Sequence, residues 1–359
     1  MPEENKKKED TVKKTDAVSK DAARGNGVLY IGMDLGTSRT AVAASNGVRE
    51  SVFTAVGYPK DVVSRKLFNG RKALFGEEAI NKRPALDFHQ PLAKGLIKND
   101  DIEKKAAEDI IRHALEMARS RKGDLIYAVI GAPAQASMDN KRFIIEAVRE
   151  LVDSVIICSE PFAVAYGLEM LDEALVIDIG AGTIDLCRMH GTMPDAEDQI
   201  TLDKAGDHID QALFESIKAA HPEAQFSIQM IKDIKEKSSR VEDAIDPIKV
   251  TLPVDGRPTE FDITEEMKQA CGTIVKPMVD ALNRLIATFD PEFQSLLRNN
   301  VLLGGGGSQI RGLDRALERA LDELGGGRVS KVEEPKYAGA NGALKIAHDM
   351  PEEYWEKLS

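Results

Sequence analysis

The sequence predicts an α/β protein built from two duplicated lobes, and three observations carry that prediction. Its 359 residues make about two ordinary domains, and 42% of them are apolar, enough to fill two cores. Short apolar strands alternate along the chain with amphipathic helical stretches. One strand–turn–strand design also occurs twice, as Tyr30-Ile31-Gly32-Met33-Asp34-Leu35-Gly36-Thr37 and as Val176-Ile177-Asp178-Ile179-Gly180-Ala181-Gly182-Thr183. The two aspartates stand 144 positions apart, a domain-sized interval rather than a solenoid period. Two similar halves facing each other enclose a cleft, the usual seat of a ligand.

The elements follow in order. Residues 1–26 carry thirteen charges of mixed sign and too little apolar surface to offset ordering, and read as a disordered charged tail. Val28-Leu29-Tyr30-Ile31-Gly32-Met33-Asp34 is a buried strand, and Thr40-Ala41-Val42-Ala43 continues it beyond a Gly-Thr-Ser turn. Residues 100–120 predict a helix with Ile102, Ala106, Ile110 and Leu115 on one face. A strand over 124–130 runs into Gly131-Ala132-Pro133, and 140–151 form a second helix. Val155-Ile156-Ile157-Cys158 is a strand, followed by a helix that opens at Ser159-Glu160-Pro161. Residues 175–179 and 184–189 make the second hairpin. Leu302-Leu303 enters a bend of four glycines, Gly304 to Gly307, ahead of a helix over 313–324.

Composition excludes several classes. The formal charge of -12, from 48 Lys and Arg against 60 Asp and Glu, argues against a nucleic-acid partner held by general attraction to phosphates. Three cysteines, Cys158, Cys187 and Cys271, leave one over in any pairing scheme and read as buried thiols of a reducing cytoplasm. The longest apolar runs, such as 125–134, reach about half of the ~20 residues a membrane span needs, so direct membrane insertion is not expected.

The duplicated turns suggest phosphate chemistry. Glycine lets the backbone present N–H groups to an anion, and Thr37, Ser38 and Thr183 add hydroxyls. A carboxylate just upstream suits a hydrated divalent cation, because Mg²⁺ keeps several waters and needs only one or two acidic groups. A nucleoside triphosphate gripped by both hairpins, with Asp34 and Asp178 flanking the metal, fits that combination. A Walker-type G-x-x-x-x-G-K-[ST] run is absent, and the extended segment after Gly182 departs from the dinucleotide fingerprint. Six histidines without an H-x-x-x-H pair do not suggest zinc.

The order of these parts resembles the actin, Hsp70 and sugar-kinase ATPase superfamily: hairpin, strand-to-helix crossing at 155–168, hairpin, glycine bend at 301–312, closing segment at 336–347. Within it, residues 56–62, 159–162, 191–200 and 351–355 are similar to bacterial actins of magnetosome filaments. The resemblance implies an actin-like fold with mixed sheets flanked by helices and a nucleotide cleft between the lobes. It places lobe I at 27–160 with a smaller subdomain at 57–95, lobe II at 161–335 with a smaller subdomain at 206–262, and a return to lobe I over 336–359. It implies ATP or ADP with Mg²⁺ as cofactors and ATP hydrolysis coupled to turnover of a cytoplasmic filament. The implied partners are further copies of the chain and adaptor proteins on the organelle surface.

Residue by residue, Asp34 and Asp178 match the aspartates that face the metal through water, and Glu160 matches the glutamate that orients the attacking water. Gly36, Thr37, Ser38, Gly180, Gly182 and Thr183 match the phosphate turns. Lys235, Glu236, Gly304, Gly305 and Gly306 match nucleoside contacts, with Lys336 over the base. Two positions depart from eukaryotic actin: Ala41 stands near its first-hairpin lysine, and Ala181 aligns with its second-hairpin aspartate. A sugar-kinase reading lacks an identifiable base and acceptor site. An Hsp70-like reading lacks chain, with about 45 residues beyond the last glycine motif.

Overall fold

The structure is a computed structural model that describes residues 27–243 and 246–358. The charged tail read at 1–26 lies outside the described residues. Two five-stranded sheets organise the chain, and they share one topology. In the first, Val28–Leu35 is central, with Arg39–Ala44 and then Arg49–Phe53 antiparallel on one side and Leu125–Ala132 and Ser154–Ser159 parallel on the other. In the second, Ala174–Ile179 is central, with Ile184–Met189 and Gln199–Leu202 antiparallel on one side and Val301–Gly304 and Val329–Lys331 parallel on the other. The duplication therefore extends from the hairpins to the order and direction of every strand.

The central strands are continuous apolar runs because both faces are covered. Helix Asp101–Met117 covers the first sheet with Ala106, Ala107, Ile110, Ile111, Ala114 and Leu115. It starts where Asp100 caps the N–H groups of Ile102 and Glu103 at 2.9 and 3.2 Å. Ile102 departs from the expected face: it lies in that first turn and is 56% exposed, because the covered stripe begins at Ala106.

A third core joins the two sheets. Helix Glu160–Gly167 lies between them and packs along helix Ala338–Asp349, whose other contacts are to the first sheet. The two helices approach at small residues. A Cβ on Gly342 would stand 1.8 Å from the carbonyl oxygen of Ala163, so only glycine permits that spacing. Trp355 closes the back of this core, stacked on Tyr127 with ring centres 4.9 Å apart.

Two smaller units project from the lobes. A three-stranded sheet of Leu74–Phe75, Val56–Pro59 and Leu86–His89 encloses Phe68, Leu74, Ala79 and Leu86. Helices Gly206–Ala220 and Ile228–Ser238 with the hairpin Lys249–Val254/Arg257–Asp262 form the other. No helix among the described residues is long and apolar enough to cross a membrane.

Candidate active site

The two hairpin turns are built alike. Gly36 N–H donates to Arg39 O at 3.1 Å in the first, and Gly180 N–H donates to Thr183 O at 2.9 Å in the second. The aspartates occupy equivalent places two residues upstream. Asp34 sits opposite Ala41 and beside Gly131, and Asp178 sits opposite Asp185 and beside Gly304. A glycine flanks each carboxylate, leaving space on that side of the strand. The turns also touch: a Cβ on Gly182 would lie 2.3 Å from Thr37 Oγ1, whose hydroxyl accepts from Gly95 N–H at 2.7 Å.

Glu160 enters from the start of its helix, with Pro161 fixing the first turn. It reaches across Gly131 toward Asp34, as a Cβ on Gly131 would stand 3.5 Å from its Cγ and 3.9 Å from the Asp34 Cα. The glycine bend closes the other side. Gly305 adopts φ +69°, and a Cβ there would meet Asp178 Oδ1 at 2.4 Å, so the bend lies directly on the carboxylate.

Four carboxylates thus converge. Burial pushes Glu160 well above the ordinary carboxylate range, and the charges of Asp34, Asp185 and Asp178 push it further. Asp178 rises for the same reasons, burial first and then Asp34 and Asp185. Burial raises Asp34 to about 6. Asp185 is also raised by burial, against hydrogen bonds from Thr201, Thr183 and the Ala134 N–H that favour its charge. Asp178 Oδ1 is buried without a hydrogen-bond partner. Such a cluster is costly unless a cation shares it. Among the described residues no three acidic, histidine or cysteine side chains converge closely enough to hold a metal directly. That geometry fits a cation reached through its own waters.

The remaining predicted residues fall into place unevenly. Gly304 is buried under the second hairpin, Gly305 is partly covered, and Gly306 is exposed at the start of a short 3₁₀ turn, Gly306–Gln309. Lys235 lies behind the second hairpin, where its ammonium binds Asp210 Oδ1 at 2.7 Å and Gly206 O at 2.9 Å. Gly206 and Asp207 in turn donate to the carbonyls of Gly180 and Ala181. Glu236 is exposed on the same helix. Lys336 is exposed, with its ammonium 5.1 Å from the Tyr337 ring centre and no hydrogen bond to either hairpin.

Sequence reasoning missed Asp185. Its signal was present: an acidic residue inside the apolar run Ile184–Met189, at the place where the first hairpin has Ala41. Asp185 Oδ1 accepts from Ala134 N–H at 2.9 Å and from the Thr201 hydroxyl at 2.5 Å, so it ties the second sheet to the loop after strand Leu125–Ala132 of the first.

Away from the cleft, a mostly apolar groove of about 410 Å³ opens beside the crossing helix, lined by Ile156, Cys158, Phe162, Tyr166, Ile346 and Met350.

Known proteins share this architecture. A family model described as MreB/Mbl protein matches residues 29–354. The actin-like protein MamK of Paramagnetospirillum magneticum is 38% identical over 331 residues, covering 92% of this chain and 95% of that protein. MamK of Magnetospirillum gryphiswaldense is 37% identical over 346 residues, covering 96% of each. Among solved structures, a MamK double helical filament superposes with a TM-score of 0.88 at 38% identity, covering 91% of this chain and all of that one. A non-polymerising MamK mutant bound to AMPPNP gives 0.70 at 37% identity, covering 90% and 99%. The chain belongs to the MreB/Mbl protein family and has the actin-like fold.

Proposed function

We propose that this protein binds ATP with Mg²⁺ between its two hairpins, hydrolyses it, and assembles with copies of itself into cytoplasmic filaments that organise magnetosomes. The observation that carries this reading is the pair of matched glycine turns facing each other over buried carboxylates. The backbone N–H groups and hydroxyls of Gly36, Thr37, Ser38, Gly180, Gly182 and Thr183 hold phosphate oxygens. Asp34 and Asp178 hold Mg²⁺ through its waters, and the ion supplies the positive charge that lets triphosphate and carboxylates share one cleft. Glu160 accepts a hydrogen bond from the attacking water and keeps it in line with the γ-phosphate. Lys235 and Glu236 border the nucleoside with Gly304 to Gly306, Lys235 through its hold on helix Gly206–Ala220, and Lys336 covers the base. Lobe I spans 27–160 and lobe II 161–335, with 336–359 returning to lobe I.

The metal assignment has a direct check. The affinity for ATP measured in excess EDTA should be at least about tenfold weaker than in Mg²⁺, since one charge pair about 4 Å apart near a protein surface is worth that much or more. Equal affinity in both conditions would remove Asp34 and Asp178 from the metal role.

Assembly is supported by two unlike surfaces. Helix Val62–Leu67 holds Val62, Val63 and Leu67 out at 79%, 75% and 62% exposure. The groove beside the crossing helix is apolar and open. An apolar knob on one copy seated in the apolar groove of the next would be a heterologous contact, which propagates as a filament when its rotation does not close. The similar proteins include a MamK double helical filament. Val63→Glu should therefore abolish pelleting in ATP and Mg²⁺ while leaving ATP affinity unchanged. Wild-type protein that stays in the supernatant under those conditions would favour the kinase reading. Adaptor proteins on the organelle surface are the further partners of this filament.

A further inference from the structure

Helix Ile228–Ser238 carries two lysines three residues apart, and they have different attachments. Lys235 is committed: its ammonium is almost buried, paired with the buried Asp210 and bonded to the Gly206 carbonyl. Removing such a partner strands a charge, so this lysine holds its helix to helix Gly206–Ala220, whose first residues bond the carbonyls of the second hairpin. Lys232 lies on the same face of the helix. Its ammonium crosses the cleft and donates to Ser38 Oγ at 2.7 Å, a residue 194 positions away in the first hairpin. It is the only lysine or arginine among the described residues that hydrogen-bonds, from outside the turns, a residue of either phosphate turn.

The attachment of Lys232 is exchangeable. Ser38 is a neutral hydroxyl, whereas a phosphate oxygen is a charged acceptor whose bond to an ammonium is roughly twice as strong. An ammonium has three donors, so Lys232 can keep Ser38 and take a phosphate oxygen together. The helix stands in the small subdomain of lobe II and Ser38 in lobe I, so a bond through Lys232 also draws the lobes together.

We propose that Lys232 is a phosphate-directed latch, a residue that reads the polyphosphate of a bound nucleotide and couples it to closure of the two lobes. This deepens the nucleotide reading and rests on it. Affinities for Mg·ATP, Mg·ADP and adenosine, with the radius of gyration by small-angle scattering in the full chain carrying Val63→Glu to keep it monomeric, test it. Lys232→Gln should weaken Mg·ATP about tenfold, the scale of one charge-assisted bond, and leave adenosine unchanged. Its radius of gyration in the Val63→Glu background should stay at the nucleotide-free value when Mg·ATP is added, where the chain that keeps Lys232 contracts. Lys232→Arg, which keeps the charge, should recover most of the affinity and the contraction. If Lys232→Gln binds Mg·ATP as tightly as the wild type, or loses ATP and adenosine equally, the latch is refuted and Lys232 only packs its helix. If the wild type binds none of the three, the nucleotide reading falls and the latch with it.

Discussion

Glu160→Gln should give filaments that assemble and then persist, in a protein that melts at a higher temperature than the wild type. The two effects have one cause. Glu160 is buried among Asp34, Asp185 and Asp178, so its ionised form is held at a cost in the folded state. Glutamine has the same shape without the charge. The sign follows from linkage: the folded pKa lies well above the ordinary 4.5, so the wild type loses stability as pH rises from that value toward the folded one. The difference in melting temperature between variant and nucleotide-free wild type should therefore be absent near pH 4 and grow toward neutrality.

Turnover should move the other way. A carboxylate that positions and polarises water typically contributes about 10²–10⁴ in rate, and phosphate release should fall within that range. ATP affinity should stay within a few-fold, because the hairpins and the glycine bend are untouched. Pelleting, phosphate release and recovery of a bleached filament segment separate these outcomes. Phosphate release at the wild-type rate would reduce Glu160 to a helix-end acid, and failure to assemble would give it a structural role.

Gly342→Ala should destabilise the whole molecule by about 3 kcal/mol or more, a cost typical of severe overpacking. The added methyl would stand 1.8 Å from Ala163 O and 2.5 Å from Ala163 C, both backbone atoms that no rotamer change can move. Helix Ala338–Asp349 would have to lift from helix Glu160–Gly167, in the core that joins the two sheets. Because Gly339 of the same helix lies against Asp34, a displaced helix should also disturb the first hairpin and weaken nucleotide binding. Gly272→Ala is the control. Gly272 ends helix Thr264–Gly272 with no atom within 4 Å of a new Cβ, so the same substitution there should be neutral or stabilise by up to about 1 kcal/mol. Equal melting temperatures for the two variants would refute the packing account.

Much of the architecture was legible without coordinates because it is written in local pattern. The apolar runs ending in aspartate and glycine specify two strand–turn–strand units, and each was found where the pattern put it, at Val28–Leu35 with Arg39–Ala44 and at Ala174–Ile179 with Ile184–Met189. Pro161 after a strand marks the helix that Glu160 opens. Periodicity also located helix Asp101–Met117, but not how far its buried stripe extends: Ile102 fits the spacing and faces solvent, because coverage depends on where the sheet lies beneath it.

Tertiary structure alone decided which charges meet. Asp185 is an ordinary acidic residue in sequence. It becomes part of the cleft because antiparallel register sets it opposite Asp178 and because Ala134 and Thr201 supply its donors. Lys232 and Lys235 are indistinguishable by helical spacing, yet one is locked to a buried carboxylate and the other bridges to a hydroxyl of the opposite lobe. Hydrophobic periodicity encodes the face a residue turns to its own element's neighbours. Electrostatic roles depend on partners on other elements, brought within about 3 Å only when the elements pack.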